Sequence, residues 1–218
     1  MTARPARGAR HRVHRSPERA VVTRAQAYAI LDAGWLAHVA FVQDGQPFAI
    51  PMLYARDGDT LLLHGSVASR LMRSLGAGVE CCVTATHFDG LVLARSHFHH
   101  SVNYRSVVAF GRARAIDEPA LKAAALARFV ERMLPGRAAD SRPADAQELA
   151  ATSIVAFEMA DLSAKVRAHG VKDHPDDLAL PYWAGVVPMH TAYGAPQPSD
   201  ERAAAIEVPA YVSALLST

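Results

Sequence analysis

Residues 35–64 read WLAHVAFVQDGQPFAIPMLYARDGDTLLLH, and their pattern decides the fold. From Trp35 to Val42 the side chains are apolar and β-favouring. Gln43-Asp-Gly-Gln46 has the composition of a tight turn, and Pro47 to Tyr54 returns as a second strand. A second turn, Arg56-Asp-Gly-Asp59, leads into Thr60 to His64. Both connections are too short for crossovers, so three antiparallel strands follow one another as a meander.

Upstream, Thr23 and Gln26 have the spacing of a capping box, in which each side chain answers the other residue's backbone N–H; the run that follows stops at Gly34, which predicts a short first helix. Downstream of Gly65 the period changes. Leu71, Met72 and Leu75 fall on one helical face and Gly76 and Gly78 close the element, predicting a helix over Val67 to Leu75. Val79 to Thr86 and Leu91 to Ala94 read as two strands around a turn at His87-Phe-Asp-Gly90, and a long strand runs from Val102 to Ile116. Glu118 to Leu134 has helical spacing and ends at Pro135-Gly136, so its apolar face is expected to cover the sheet. A short helix around Glu148 precedes strands at Thr152 to Glu158 and Ser163 to Ala168; beyond Pro188 the chain is loose up to a terminal helix at Ala210 to Leu216.

Strands dominate the middle of the chain and do not alternate with helices, which argues against a Rossmann fold. The expected class is mainly β with flanking helices, in the form of a six-stranded, largely antiparallel barrel. The expected organisation is a basic leader over 1–22, one domain over 23–188 and an extension over 189–218.

The chain has 218 residues, half of them hydrophobic and a fifth charged, which suits one elaborated globular domain. Lys and Arg exceed Asp and Glu by 23 to 21, and the excess lies at the start, where no acid precedes Glu18. That is a tail and not a groove, so no nucleic-acid partner is expected. The basic start is not followed by a continuous apolar run and no stretch has the length of a membrane span, so the expectation is a cytoplasmic protein away from membranes. Cys81 and Cys82 are neighbours in a strand and point to opposite faces, which suits reduced thiols and not a mutual bridge.

The stretch from His64 to Arg73, HGSVASRLMR, is where a strand ends in glycine and a helix begins beside hydroxyls and guanidinium groups. An anion site is built this way: the first helical N–H groups lack internal partners, Ser69 can donate a hydrogen bond and Arg70 a forked one. The same residues also suit a plain N-cap at Ser66 and a surface charge at Arg70.

Read with its neighbours, this stretch resembles the pyridoxamine 5'-phosphate oxidase-like flavoproteins, in particular their flavin-nucleotide-binding branch. The marks run from about Ala20 to Pro188. They are His38-Val-Ala-Phe-Val, Gly45-Gln-Pro-Phe-Ala-Ile-Pro-Met, Leu63-His-Gly-Ser with Ser69-Arg-Leu-Met-Arg, Asp89-Gly-Leu-Val-Leu-Ala-Arg-Ser, Asn103-Tyr-Arg-Ser-Val-Val, Ser163-Ala-Lys-Val-Arg and Trp183-Ala-Gly-Val-Val-Pro. Their order and spacing together carry the resemblance. It implies a split barrel that binds FMN, or FAD, between the two subunits of a homodimer.

By the same resemblance, Ser69 and Arg70 hold the flavin phosphate, Ser66 belongs to the cofactor-binding set, and Ile50, Pro51 and Met52 run along the isoalloxazine ring and offer it backbone groups. Proline suits that place because it has no N–H to leave unpaired, although Pro51 also suits a sheet edge or bulge. His64 is expected close to the flavin or its phosphate, or else bonded to backbone at a strand end. Tyr104, Arg105 and Ser106 are expected to contribute to the pocket, with Arg105 on phosphate or ring, or alternatively paired with a carboxylate across the sheet. Trp183 is expected to stack near the ring from the partner subunit, or to pack as core. His97, His99 and His100 invite a metal, but His-x-His-His on a loop with no carboxylate or cysteine beside it reads as surface, interface or substrate mouth, and no metal site is assigned.

The function implied is a flavin-dependent oxidoreductase acting on a small molecule, with NAD(P)H at most a transient donor, since no Gly-rich dinucleotide fingerprint is present. True pyridoxamine phosphate oxidases carry an Arg and His constellation after the C-terminal Trp-x-Gly. Here Trp183-Ala-Gly185 continues as Val-Val-Pro-Met, which puts vitamin B6 oxidation in doubt. A flavin module without turnover and a haem-binding relative that uses histidine ligands are the other readings.

Overall fold

The computed structural model describes residues 19, 20 and 23–217; apart from Arg19 and Ala20, the expected leader lies outside the described residues. Helix α1, Arg24–Asp32, starts as its capping box requires: the Thr23 hydroxyl accepts from the Gln26 N–H while the Gln26 side chain accepts from the Thr23 N–H. Strands β1, Leu36–Gln43, and β2, Gln46–Asp57, form a hairpin whose turn residues Asp44 and Gly45 both have positive φ, 51° and 76°. Strand β3, Thr60–Ser66, completes the meander.

Helix α2, Arg70–Gly76, begins at Arg70 and not at Val67, because Ser69 is the N-cap and accepts from the Met72 N–H. Ser66 instead accepts from the Ala68 N–H and shapes the turn before it. The expected turn at His87 to Gly90 is part of one continuous strand, β4, Glu80–Leu93, which pairs with β5, Ser101–Ala115, and slips register between Phe88 and Gly90. Asp and Gly favour a turn locally. Here β5 on one side and β8, Gly185–Pro188, on the other hold the chain extended, and the dipeptide becomes a bulge. Gly90 is needed there because a Cβ would come within 2.7 Å of the Val187 carbonyl oxygen.

Helix α3, Pro119–Met133, is capped by the Glu118 carboxylate, which accepts from the N–H groups of Ala120 and Leu121. The short α4, Ala146–Ala151, leads into β6, Thr152–Glu158, and β7, Asp161–Arg167. The tail carries α5, Glu201–Ala204, and α6, Ala210–Ser213.

Strand order is β7-β5-β6-β3-β2-β1-β4-β8, and β4 also pairs with β5, so six antiparallel strands close a ring with β7 and β8 attached outside it. Two long strands each change partner along their length and split the ring. Strand β2 pairs with β1 as far as Leu53 and with β3 from Tyr54; β5 pairs with β7 through Phe110 and with β6 from Ala113. Gly111 sits at the second crossover, where any Cβ would collide with the Glu158 carbonyl oxygen.

The ring is filled by Val39, Leu61, Leu63, Val83, Val107 and Phe157. Helix α1 closes one end, where the Tyr54 hydroxyl donates to the Leu31 carbonyl at 2.6 Å. Helix α2 closes the other, with Leu71, Met72 and Leu75 buried and Ser74 bonded to Gln43. Phe129 and Ala125 of α3 cover a second cluster outside the ring, on Leu62, Ile154 and Ala156. Among the described residues no helix is long and apolar enough to cross a membrane.

Candidate cofactor site

The splitting of β2 exposes a strand edge. Tyr54 donates its N–H to the Trp35 carbonyl, which fixes the phase of the β1–β2 ladder: Tyr54, Met52 and Ile50 spend their backbone groups on β1, while Leu53, Pro51 and Ala49 point theirs the other way. Strand β3 meets that other edge only from Tyr54 to Asp57, and no other strand among the described residues pairs with it. Pro51 therefore costs the ladder nothing, and the edge presents its carbonyl between the N–H and C=O groups of Ala49 and Leu53.

Of the three residues expected along this edge, Ile50 and Met52 are placed differently. Their side chains turn into the core and their backbone groups belong to β1, a consequence of the two-residue period of a strand. The Ser66–Arg70 turn lies at the same edge: the Arg70 guanidinium stacks 4.2 Å over the Phe48 ring, and no carboxylate among the described residues pairs with it. The structure thus sets the Ser66–Arg70 turn against β2 through Arg70 and Phe48, on a strand whose free edge carries Pro51.

His64 is not part of this group. Its ring packs edge-on against Phe129 of α3 at 4.4 Å, its Nδ1 is buried without a partner, and burial lowers its pKa. The ring is packed against α3 and is not bonded to backbone at the strand end. The cause is the covering by α3, which takes up that face of β3.

Tyr104, Arg105 and Ser106 are consecutive on β5, so Arg105 faces away from the other two. Arg105 holds Asp89 through two bonds of 2.9 and 2.8 Å, which is the cross-sheet carboxylate alternative. That hydrogen bond keeps the Asp89 carboxyl below its ordinary pKa against the opposing effect of burial. The other end of β5 touches α2, where Ala115 meets Gly76. At about 3.3 Å per residue, Arg105 lies roughly 30 Å along the strand from Ala115 at the C-terminal end of α2. Within one chain Arg105 and the Ser66–Arg70 turn do not meet.

Trp183 is 68% exposed, with its indole ring against Gly185, so it is not core in the single chain. The tail leaving β8 passes the bulge, and Met189, His190 and Thr191 form an open cleft with His87, Asp89 and Arg105. Asp89 and this cleft were not found from the sequence; the Asp-Gly pair between two apolar strand segments was their one signal.

His97, Phe98 and His99 form a single 3-10 turn. Phe98 is 89% exposed, and His100 donates from Nδ1 to the Ser96 carbonyl at 2.9 Å. The turn is anchored by Arg95, whose backbone N–H and guanidinium both bond the buried Asp173 carboxylate, at 3.0 and 2.6 Å. Among the described residues no three His, Cys, Asp or Glu side chains group so as to hold a metal ion. Cys81 and Cys82 are both free.

A family model described as pyridoxamine 5'-phosphate oxidase matches residues 23–166. Among solved structures, the FAD and haem binding protein from Mycobacterium smegmatis is 37% identical, with 90% of this chain and 97% of that one covered and a TM-score of 0.86. The flavocytochrome Anf3 from Azotobacter vinelandii is 36% identical, with 96% of this chain and 98% of that one covered and a TM-score of 0.89. No curated protein matches the chain significantly.

Proposed function

This chain belongs to the pyridoxamine 5'-phosphate oxidase family of flavin-binding split barrels, and from that membership we propose that it is a flavin-dependent redox protein whose cofactor lies along the open edge of β2. The observation that carries the reading is the meeting of that edge with the Ser66–Arg70 turn. The turn offers hydroxyls and a guanidinium to phosphate oxygens, and the edge offers unpaired backbone groups to the polar side of a planar ring. Bound there, a flavin supplies hydride and single-electron chemistry; the chain orients it and keeps water away.

The outward face of the sheet is the surface on which a second copy would pack. Its register sets Ala49, Ala40, Cys82 and Phe110 in one row across four strands, with Leu36 and Leu53 exposed beside it. Small and apolar side chains of this kind suit a dimer interface. Such a dimer is also the means by which Tyr104, Ser106 and Trp183 of one chain would reach a flavin held by the other. The substrate class is a small oxidant or reductant that fits against the ring, and vitamin B6 phosphate is disfavoured for want of the basic clamp after Trp183.

A second reading adds a haem. It is favoured by the similarity, over nearly the whole chain, to a FAD and haem binding protein and to a flavocytochrome. FMN is the flavin the family resemblance implies, and FAD is the one the M. smegmatis relative binds. The test is the visible spectrum of protein purified without added cofactor, followed by heat release and chromatography. Yellow protein releasing about one flavin per chain supports the first reading and identifies the nucleotide, and a Soret band supports the second. Colourless protein that takes up neither added flavin nor hemin sinks both.

A further inference from the structure

Arg167 is 3% exposed, a guanidinium buried at the end of β7. It donates to the Asn103 side-chain oxygen and to the carbonyls of His169 and Gly170, at 2.5, 3.0 and 3.3 Å, and its Nε is buried with no partner. All three acceptors are neutral. They satisfy donors without balancing the charge, and an unbalanced buried charge is costly. The neighbourhood adds to the imbalance: where Ala20 bridges Lys165 the chain brings Arg19 alongside, and burial first, then the Arg19 charge, lower the Arg167 pKa. No carboxylate among the described residues pairs with Arg167 or Lys165.

Strand alternation decides what surrounds this charge. Ala164 and Val166 of β7 and Val107 of β5 face the core, so Lys165 and Arg167 project from the outward face together with Tyr104 and Ser106. The register sets Tyr104 directly against Arg167 and Ser106 against Lys165. Directly opposed residues are about 5 Å apart and alternate ones along a strand about 7 Å, so two hydroxyls, an ammonium and a guanidinium stand within reach of one phosphate or carboxylate group. Neither hydroxyl nor the Lys165 ammonium has a hydrogen-bond or ion-pair partner among the described residues. The Ser66–Arg70 turn, assigned above to the flavin phosphate, leads into α2, which meets β5 at Ala115, the opposite end of the strand from Tyr104. The cationic group on β5 and β7 is therefore left for a different anion.

We propose that Tyr104, Ser106, Lys165 and Arg167 form an oxyanion site that takes the phosphate or carboxylate group of the small-molecule substrate; the word substrate rests on the flavin reading above, the anion site on the geometry alone. The full chain, with whatever flavin it carries, is titrated calorimetrically with inorganic phosphate at constant ionic strength, and flavin absorbance and far-ultraviolet circular dichroism report cofactor retention and folding. Wild type is expected to bind phosphate saturably. Lys165→Gln, at a half-buried position outside the core, is expected to weaken binding by about ten-fold or more and Lys165→Arg to restore part of it. Lys172→Gln, which removes the same charge from an exposed position beyond β7, is expected to bind as wild type does. No saturable binding by wild type, or equal affinity in wild type and Lys165→Gln, overturns the site. Equal weakening in Lys172→Gln reduces it to the net charge of the surface and also overturns it. Phosphate that drives flavin off wild type but not off Lys165→Gln shows the anion to be the cofactor's own phosphate and overturns the substrate assignment. Colourless protein that still binds phosphate through Lys165 keeps the anion site and sinks the flavin reading.

Discussion

Arg105 grips Asp89 with both arms of its guanidinium, at 2.9 and 2.8 Å, at the place where the pairing of β4 with β5 slips by a residue. A bulge leaves one residue without a ladder partner, and here that residue's side chain is fastened to the strand opposite. The pair makes a pH prediction. The Asp89 carboxyl has a folded pKa below its unfolded one, chiefly through the Arg105 hydrogen bond. Its stabilisation is therefore present above the unfolded value and lost as pH falls through the folded one. Both side chains are about a third exposed, so screening limits the contribution to about 1 kcal/mol or less. Urea unfolding of wild type and Asp89→Asn should differ at pH 7 and converge at acid pH; a gap that stays constant down to pH 3 contradicts the pairing.

Gly111 is the point at which β5 leaves β7 for β6, and its backbone runs directly under the Glu158 carbonyl. Gly111→Ala places a methyl group where backbone already is, and neither strand can yield without breaking the ring. The expected loss is about 3 kcal/mol or more, at the upper end of overpacking effects. Gly170→Ala, where no atom stands within 4 Å of the added Cβ, is the control and should fall within about 0.5 kcal/mol of wild type. Equal midpoints for the two variants would show that the crossover is not as tight as described.

The two thiols differ in depth and share a cause. Burial pushes the Cys81 thiol up to about 12, and burial also raises Cys82, partly offset by its hydrogen bond with Thr84. A thiolate is the reactive form, so neither should react quickly with an aromatic disulfide reagent at pH 8 in the folded protein, and both should react at once in denaturant. Fast labelling of one thiol per native chain would place a cysteine in a more open setting.

What was legible in the sequence was local. The meander from Trp35 to His64, the Thr23 and Gln26 cap, and β6 follow from turn chemistry, cap spacing and strand period, each written within a few residues. What was not legible depends on chain far away. Asp89-Gly90 forms a bulge and not a turn because β5 and β8 flank it, and β8 itself is only four residues long. The direction of His64 is set by α3, whose Phe129 is remote in sequence. The Ser69 and Arg70 motif was visible as a local pattern, whereas its position beside the open edge of β2 follows from where β3 parts from β2.

Arg70 offers the sharpest test of the flavin site, because it can be removed without touching the core. Its side chain is exposed, its one described contact is the Phe48 ring, and the N-cap of α2 is made by Ser69 and does not need it. Arg70→Ala should therefore unfold at nearly the wild-type temperature. A guanidinium bonded to phosphate is worth about 1.5–3 kcal/mol, so flavin affinity should fall by roughly ten-fold or more in a dialysis or fluorescence titration. Arg70→Lys should recover part of this, since it restores the charge without the fork. The salt dependence of binding distinguishes a phosphate contact from a steric effect: wild-type affinity should weaken as ionic strength rises, and that of Arg70→Ala should weaken less. Flavin held as tightly by Arg70→Ala as by wild type would move the phosphate away from this turn and leave the open edge of β2 without its anchor.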